Sequence, residues 1–197
     1  MGTTTFSGPV VSQNGFSGTF TGNVTGNVTG NVTGNVSGNV TGNVTGNLSG
    51  TVLATAPVNA TAATLAVTQA AHAGRTVTLN RATGIAVTLP NATGTGSVYT
   101  FFVGTSMSGG STTIKVNRSA DTMAGTAYVL SDASDNVIGY RTVTGGSASD
   151  TITLDGSTTG GLVGDIIRAT DVAANLYMVE VLTAATGTEA TPFSATV

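Results

Sequence analysis

The chain contains no cysteine and no tryptophan, a single histidine and four prolines, and charged side chains make up only 8% of its 197 residues. A soluble domain usually carries roughly 25% charge. Each shortage removes a class of chemistry. Without cysteine there is no disulfide framework, no thiolate metal site and no cysteine nucleophile. One histidine, His72 in "TQAAHAGRT", is a poor start for a metal centre when no cysteine or clustered carboxylate accompanies it. The formal net charge of -3 offers no basic footprint for a phosphate backbone or an anionic membrane, so neither nucleic acid nor a membrane is an expected partner. No apolar run approaches the ~20 residues of a membrane span. The stretch "MGTTTFSGPVV" has neither a charged n-region nor an apolar h-region, and Phe6 breaks the myristoylation pattern. If the chain works outside a cell, the expectation is that it leaves by a route other than export.

What remains is Gly, Thr, Ala and Val, with few of the helix formers Glu, Lys and Gln, a balance that favours strands and turns. The length suits one well-buried domain plus an appendage. The appendage is legible in "FTGNVTGNVTGNVTGNVSGNVTGNVTGNLSGTV", Phe20 to Val52, where one tetrapeptide recurs almost unchanged. Large apolar residues fall at Phe16, Phe20, Val24, Val28, Val32, Val36, Val40, Val44, Leu48 and Val52, with a glycine midway between each pair. A glycine at every fourth residue costs a helix about 1 kcal/mol each, and the β-branched Val and Thr between them disfavour it further. In an extended chain Val and Gly alternate along one face while Thr and Asn fill the other.

Such a strand cannot bury its valine row alone, and its backbone N–H and C=O groups need partners. Copies wound around a common axis would stack the valines in layers while the glycines let the backbones approach. Threefold association suits this best. The repeat resembles the fibrous stalks of phage fibres and spikes, including intertwined triple β-helices with Val and Gly two apart, as in Val24-Thr25-Gly26 and Val28-Thr29-Gly30. Such needles usually vary between repeats, whereas these repeats barely do. A flexible linker is the plainer reading, but a linker has no need of a hydrophobe at every fourth place. A single-chain β-solenoid is a third reading, since Gly-Asn is good turn chemistry, yet four residues per side leave little interior. The seven N-x-S/T sequons from Asn23 to Asn47 are accidents of the repeat.

After the bridge "LATAPVNATAAT", residues 53–64, ordinary strand patterns begin, and a domain is expected over 65–197. Candidate strands are Thr76 to Leu79, Ile85 to Leu89, Val98 to Val103, Thr113 to Val116, Ala127 to Leu130, Val137 to Val143, Thr151 to Leu154, Leu162 to Arg168 and Leu176 to Leu182. Turn clusters such as "NRATG", "MSGGS" and "SDASD" separate them. The fold class is therefore all-β: a repeat stalk or arm over 1–52, extended or intertwined like a triple β-helix, then two sheets packed as a β-sandwich or jelly-roll-like domain.

The stretches "RTVTLNRATGIAVTLPNATGTGSVYTFFVGT", "DTITLDGSTTGGLVGDIIRATDVAANLYMVEV" and "TGTEATPFSATV" resemble a domain of tailed-phage virion proteins of the head decoration, cement or head-fibre kind. The resemblance covers roughly residues 60 to 197. It implies a structural role on the capsid surface, with the major capsid protein and further copies of the chain, as a homotrimer, for partners; release by lysis would then explain the missing export signal. A tail fibre or spike that binds a host surface glycan is the alternative.

Catalytic parts are missing: there is no G-x-S-x-G, H-E-x-x-H, P-loop or G-x-G-x-x-G, and neither an enzyme nor a cofactor is expected. Asp132, Asp135, Asp150, Asp155, Asp165, Asp171, Glu180 and Glu189 offer material for a glycosidase carboxylate pair. Against that, Asp155-Gly156 and the Asp132/Asp135 cluster sit where turns want aspartate for backbone reasons. The loop "SDASDN" has oxygen ligands but lacks EF-hand spacing. Five of the six cations are arginine, namely Arg75, Arg81, Arg118, Arg141 and Arg168, beside Lys115. Arginine suits bidentate interface pairs, so anchoring between subunits or to a particle is one expectation and solvated surface residues the other.

Overall fold

Strands form where β-branched and aromatic residues alternate with polar ones between turn clusters. The computed structural model describes residues 56–132, 136–144 and 148–197. The chain divides after Gly46, and all of these residues belong to the second unit, Asn47–Val197. The repeat, with its apolar positions Phe16, Phe20, Val24, Val28, Val32, Val36, Val40, Val44, Leu48 and Val52, lies outside the described residues. Along the described chain run β1 (Val58–Ala60), β2 (Thr64–Ala66), the one-turn helix α1 (Gln69–His72), β3 (Thr76–Leu79), β4 (Ala86–Thr88), β5 (Val98–Val103) and β6 (Thr112–Lys115). They are followed by β7 (Thr122–Ser131), β8 (Val137–Arg141), β9 (Thr151–Leu154), β10 (Ile166–Ala173), β11 (Leu176–Ala185) and β12 (Phe193–Ser194). The domain is all-β, as the alternation predicts.

Two sheets are formed, one in the order β1-β3-β5-β10-β11-β7-β8 and one in the order β12-β9-β6-β4-β2. From β1 to β6 the chain changes sheet at every strand. As a result β1, β3 and β5 are parallel neighbours in the first sheet, and β2, β4 and β6 are parallel neighbours in the second. Parallel neighbours need a long crossover, and here each crossover contains a strand of the opposite sheet. This winding corrects the jelly-roll expectation, which requires antiparallel connections. Successive coils are stapled by asparagines: the Asn80 amide donates to Asn59 Oδ1 at 2.7 Å, and the Asn117 amide to Asn91 Oδ1 at 2.9 Å. The second half is mainly antiparallel, with β10 between β5 and β11, β8 on β7 and β9 on β6. β7 and β11 are again parallel and pair over their full lengths.

Both sheets contribute to one core. Val77, Leu79, Phe101, Val103, Ile167 and Val181 come from the seven-stranded sheet, and Val87, Ile114, Ile152 and Leu154 from the five-stranded one. Tyr99 and Tyr177 meet edge to face with ring centroids 6.4 Å apart, and the Tyr177 hydroxyl donates to the Pro90 carbonyl at 2.9 Å. Aromatic pairs of this kind add about 0.5–1.5 kcal/mol beyond their buried area. Gly125 on β7 is required by a close approach, because a Cβ there would lie 1.8 Å from the Val179 carbonyl oxygen.

Several boundaries differ from the sequence expectation; β7, for one, runs Thr122–Ser131 where only Ala127 to Leu130 was expected. The stretch 53–64, read as a bridge, contains β1 and the first residue of β2; its side chains are too small to give a clear alternation, and β1 is held by backbone pairing to β3. The candidate strand Leu162 to Arg168 starts only at Ile166 and continues to Ala173. Residues 162–165 turn instead, with Gly164 at φ 106° and the Asp165 carboxylate accepting from the Gly161 and Leu162 N–H groups.

Candidate functional site

The carboxylates are the chain's material for acid–base chemistry, and most of them are bound into loops. Asp171 is buried at the end of the long β10 strand. It accepts from the N–H groups of Thr93, Gly94 and Thr95 at 2.7–3.0 Å and from the Thr95 hydroxyl at 2.8 Å. Burial pushes this carboxyl up, but the bonds from Thr95, Gly94 and Thr93 outweigh it and hold it below the usual carboxylate range. Asp155 does the same for its own turn, accepting from the N–H groups of Ser157, Thr158 and Thr159 and from the Thr158 hydroxyl. There too burial raises the carboxyl and the hydrogen bonds win, leaving it well below its ordinary value.

Asp165 accepts from Gly161, Leu162 and Ala184 N–H at 2.7–3.0 Å, yet burial dominates and its carboxyl is raised. Asp150 takes the Thr151 hydroxyl and the N–H groups of Thr196 and Val197. A fifth carboxylate, Asp121, was not singled out from sequence; it is fully buried, accepts from Ala92 N–H at 3.1 Å and pairs with Arg118 Nε at 2.9 Å. The nearby Arg-x-x-Asp spacing was the available signal. All five carboxylates clamp loops. Glycoside cleavage needs two carboxyl groups facing one another across an open cleft, and these have their lone pairs turned onto their own backbone.

The remaining candidates divide similarly. His72 is buried and its Nδ1 accepts from Thr68 N–H at 3.0 Å, closing α1 on itself. Among the described residues no group of three His, Cys, Asp or Glu side chains could hold a metal ion. Asp135 lies outside the described residues. Arg75 donates to the Ala56 and Ala71 carbonyls at 2.8 Å, and Arg118 also reaches Ala92 O and Asn175 Oδ1. These two arginines fasten the domain internally.

Arg168 differs, because its Nη1–H donates to Glu180 Oε2 at 3.1 Å on the outer face of the seven-stranded sheet, with both side chains about half exposed. An exposed pair of this kind contributes at most about 1 kcal/mol to stability. Strand register sets it in a row Arg168, Glu180, Thr126, Arg141 across β10, β11, β7 and β8. The next row, from β5 to β7, reads Phe102, Ile166, Leu182, Tyr128. Ile166 is 38%, Leu182 50% and Tyr128 49% exposed. Leu130, Val137 and Met178 extend the exposed apolar surface on the same sheet. Thr126, Tyr128, Ile166, Arg168, Glu180 and Leu182 line a shallow groove of about 320 Å³. Contiguous exposed apolar surface rimmed by polar groups marks an interaction site. On this outer face an apolar row thus runs beside a charged one.

Among the described residues no helix is long and apolar enough to cross a membrane. In comparisons with family models, curated proteins and solved structures, none matches this chain.

Proposed function

We propose that this chain is a structural component of a tailed-phage virion, a trimeric head decoration, cement or head-fibre protein seated on the capsid surface. The observation that carries the reading is the near-invariant Gly-Asn-Val-Thr repeat with an apolar residue at every fourth position from Phe16 to Val52, which only association of several copies would bury. The domain is compatible with a passive role, since Asp150, Asp155, Asp165 and Asp171 are committed to holding loops. Three chains tethered through the repeat make each further contact with the major capsid protein effectively intramolecular, so weak contacts sum to firm attachment.

Immunogold microscopy of intact virions with antibody against residues 65–197 tests this. Gold on heads supports it, and unlabelled particles sink it. A second reading, a tail spike that binds a host glycan, draws on the groove, where the Tyr128 ring stands beside Arg168, Glu180 and Thr126, an apolar plate next to hydrogen-bonding groups. Gold confined to tails, together with binding of host surface polysaccharide, would favour it.

A further inference from the structure

We infer that the outer face of the seven-stranded sheet is a contact surface between copies of this chain, so that association is built into the strand domain and not only into the repeat. The inference rests on the oligomeric reading above and names the partner of the groove.

Three features point to a second copy. First, the apolar row is continuous: Ile166, Leu182 and Tyr128 are direct lateral neighbours on β10, β11 and β7, and Phe102 adjoins them on β5. With Leu130, Val137 and Met178 beside the row, non-aromatic apolar side chains outnumber the two rings, which suits packing against another protein surface better than hydrogen bonding to a sugar. Second, the adjoining row carries both signs, with Arg168 and Arg141 on one side of the balance and Glu180 on the other. A strongly charged partner would select for one sign. A copy of the same chain brings the same mixture, so the guanidinium of one can sit against the carboxylate of the next. Third, the size fits. Five strands, β5, β10, β11, β7 and β8, span about 24 Å at ~4.8 Å per strand, and eight residues of β10 run about 27 Å, giving roughly 650 Å². Standard interfaces bury about 800 Å² per partner and smaller ones about 600 Å².

The chain has no cysteine, so introduced thiols report without background. Full-length Leu182→Cys and Tyr128→Cys proteins are treated with a short bis-maleimide, with Ala86→Cys, exposed on β4 of the other sheet, as the control. Covalent dimers from the first two and monomer from the control are expected, since one thiol per chain lets a bis-maleimide join only two copies. If light scattering finds an oligomer but none of the variants cross-links, or all do equally, the face is not the interface and the oligomeric reading survives. A wild-type chain of single-copy mass overturns both. Maleimide labelling of Leu182→Cys as fast as that of Ala86→Cys, and slowed by host surface polysaccharide, would give the face to a glycan instead.

Discussion

The two faces of β10, β11 and β7 are made by successive residues pointing to opposite sides, yet only one is finished. Ile166 and Ile167 are adjacent and chemically identical; Ile167 is wholly buried against the second sheet, while Ile166 is 38% exposed. The inward face is packed, its glycine placed to the ångström, and the loops at its ends are clamped by carboxylates. The outward face carries Ile166, Leu182, Tyr128, Leu130 and Met178 exposed, with nothing over them within the described chain. Where β10, β11 and β7 place an apolar side chain outward as well as inward, the sheet has material for a second core. The inner core belongs to one chain, and the outer one is the surface proposed to close when copies meet.

The largest expected effect separates the two isoleucines. Ile167→Ala leaves a cavity in the core and should cost about 2–5 kcal/mol, seen as a drop in the urea midpoint, relative to wild type, that is about the same at every protein concentration. Ile166→Ala should change the stability of a single chain by about 1 kcal/mol or less, the share of its cross-strand contacts with Phe102 and Leu182, any larger loss appearing only through concentration-dependent assembly. Equal losses at both positions would erase the distinction between the faces.

Next comes Asp171→Ala, which leaves the Thr93, Gly94 and Thr95 N–H groups without their shared acceptor. A loss of about 3 kcal/mol is expected, with faster proteolysis in the loop around residues 93–97. Gly125→Ala should cost about 1–3 kcal/mol, since the new methyl must push β7 away from the Val179 carbonyl. Its signature in hydrogen exchange is loss of protection along both β7 and β11.

The smallest effect is the acid limb. Asp155 and Asp171 are held below their ordinary values in the fold, and an unfolded aspartate titrates near about 3.9. Their contribution is therefore present above about pH 4 and is lost as pH falls through their folded values. Asp165, raised in the fold, works in the opposite sense, its charge opposing folding as pH rises through its folded value. Thermal melts from pH 6 down to pH 2 should show a falling midpoint below about pH 4, flattened in Asp155→Asn.

Much of this was legible beforehand. Period-2 alternation located β3, β5 and β9 to the residue, because each lies between turn clusters and has one buried face. The parallel winding was not read, although its trace is in the sequence: "VNAT", "LNRAT", "PNAT" and "VNRS" recur at strand ends from residue 58 to 119, and their asparagines pair between coils. Topology depends on which strands become neighbours, and alternation within a strand is silent on that. The apolar row on the outer face is hidden in the sequence for a related reason. Ile166, Leu182 and Tyr128 are separated by up to 54 positions in sequence and become a row only through the pairing of β10, β11 and β7.

Hydroxyl-radical footprinting of the full-length protein in its assembled form bears most directly on the unfinished face. Tyr128, half exposed in the single chain, should react as slowly as the buried Tyr99, with Leu182 and Met178 protected alongside it. Rapid oxidation of Tyr128 and Met178 in the assembled protein would show that the face stays open to water, and would contradict the account.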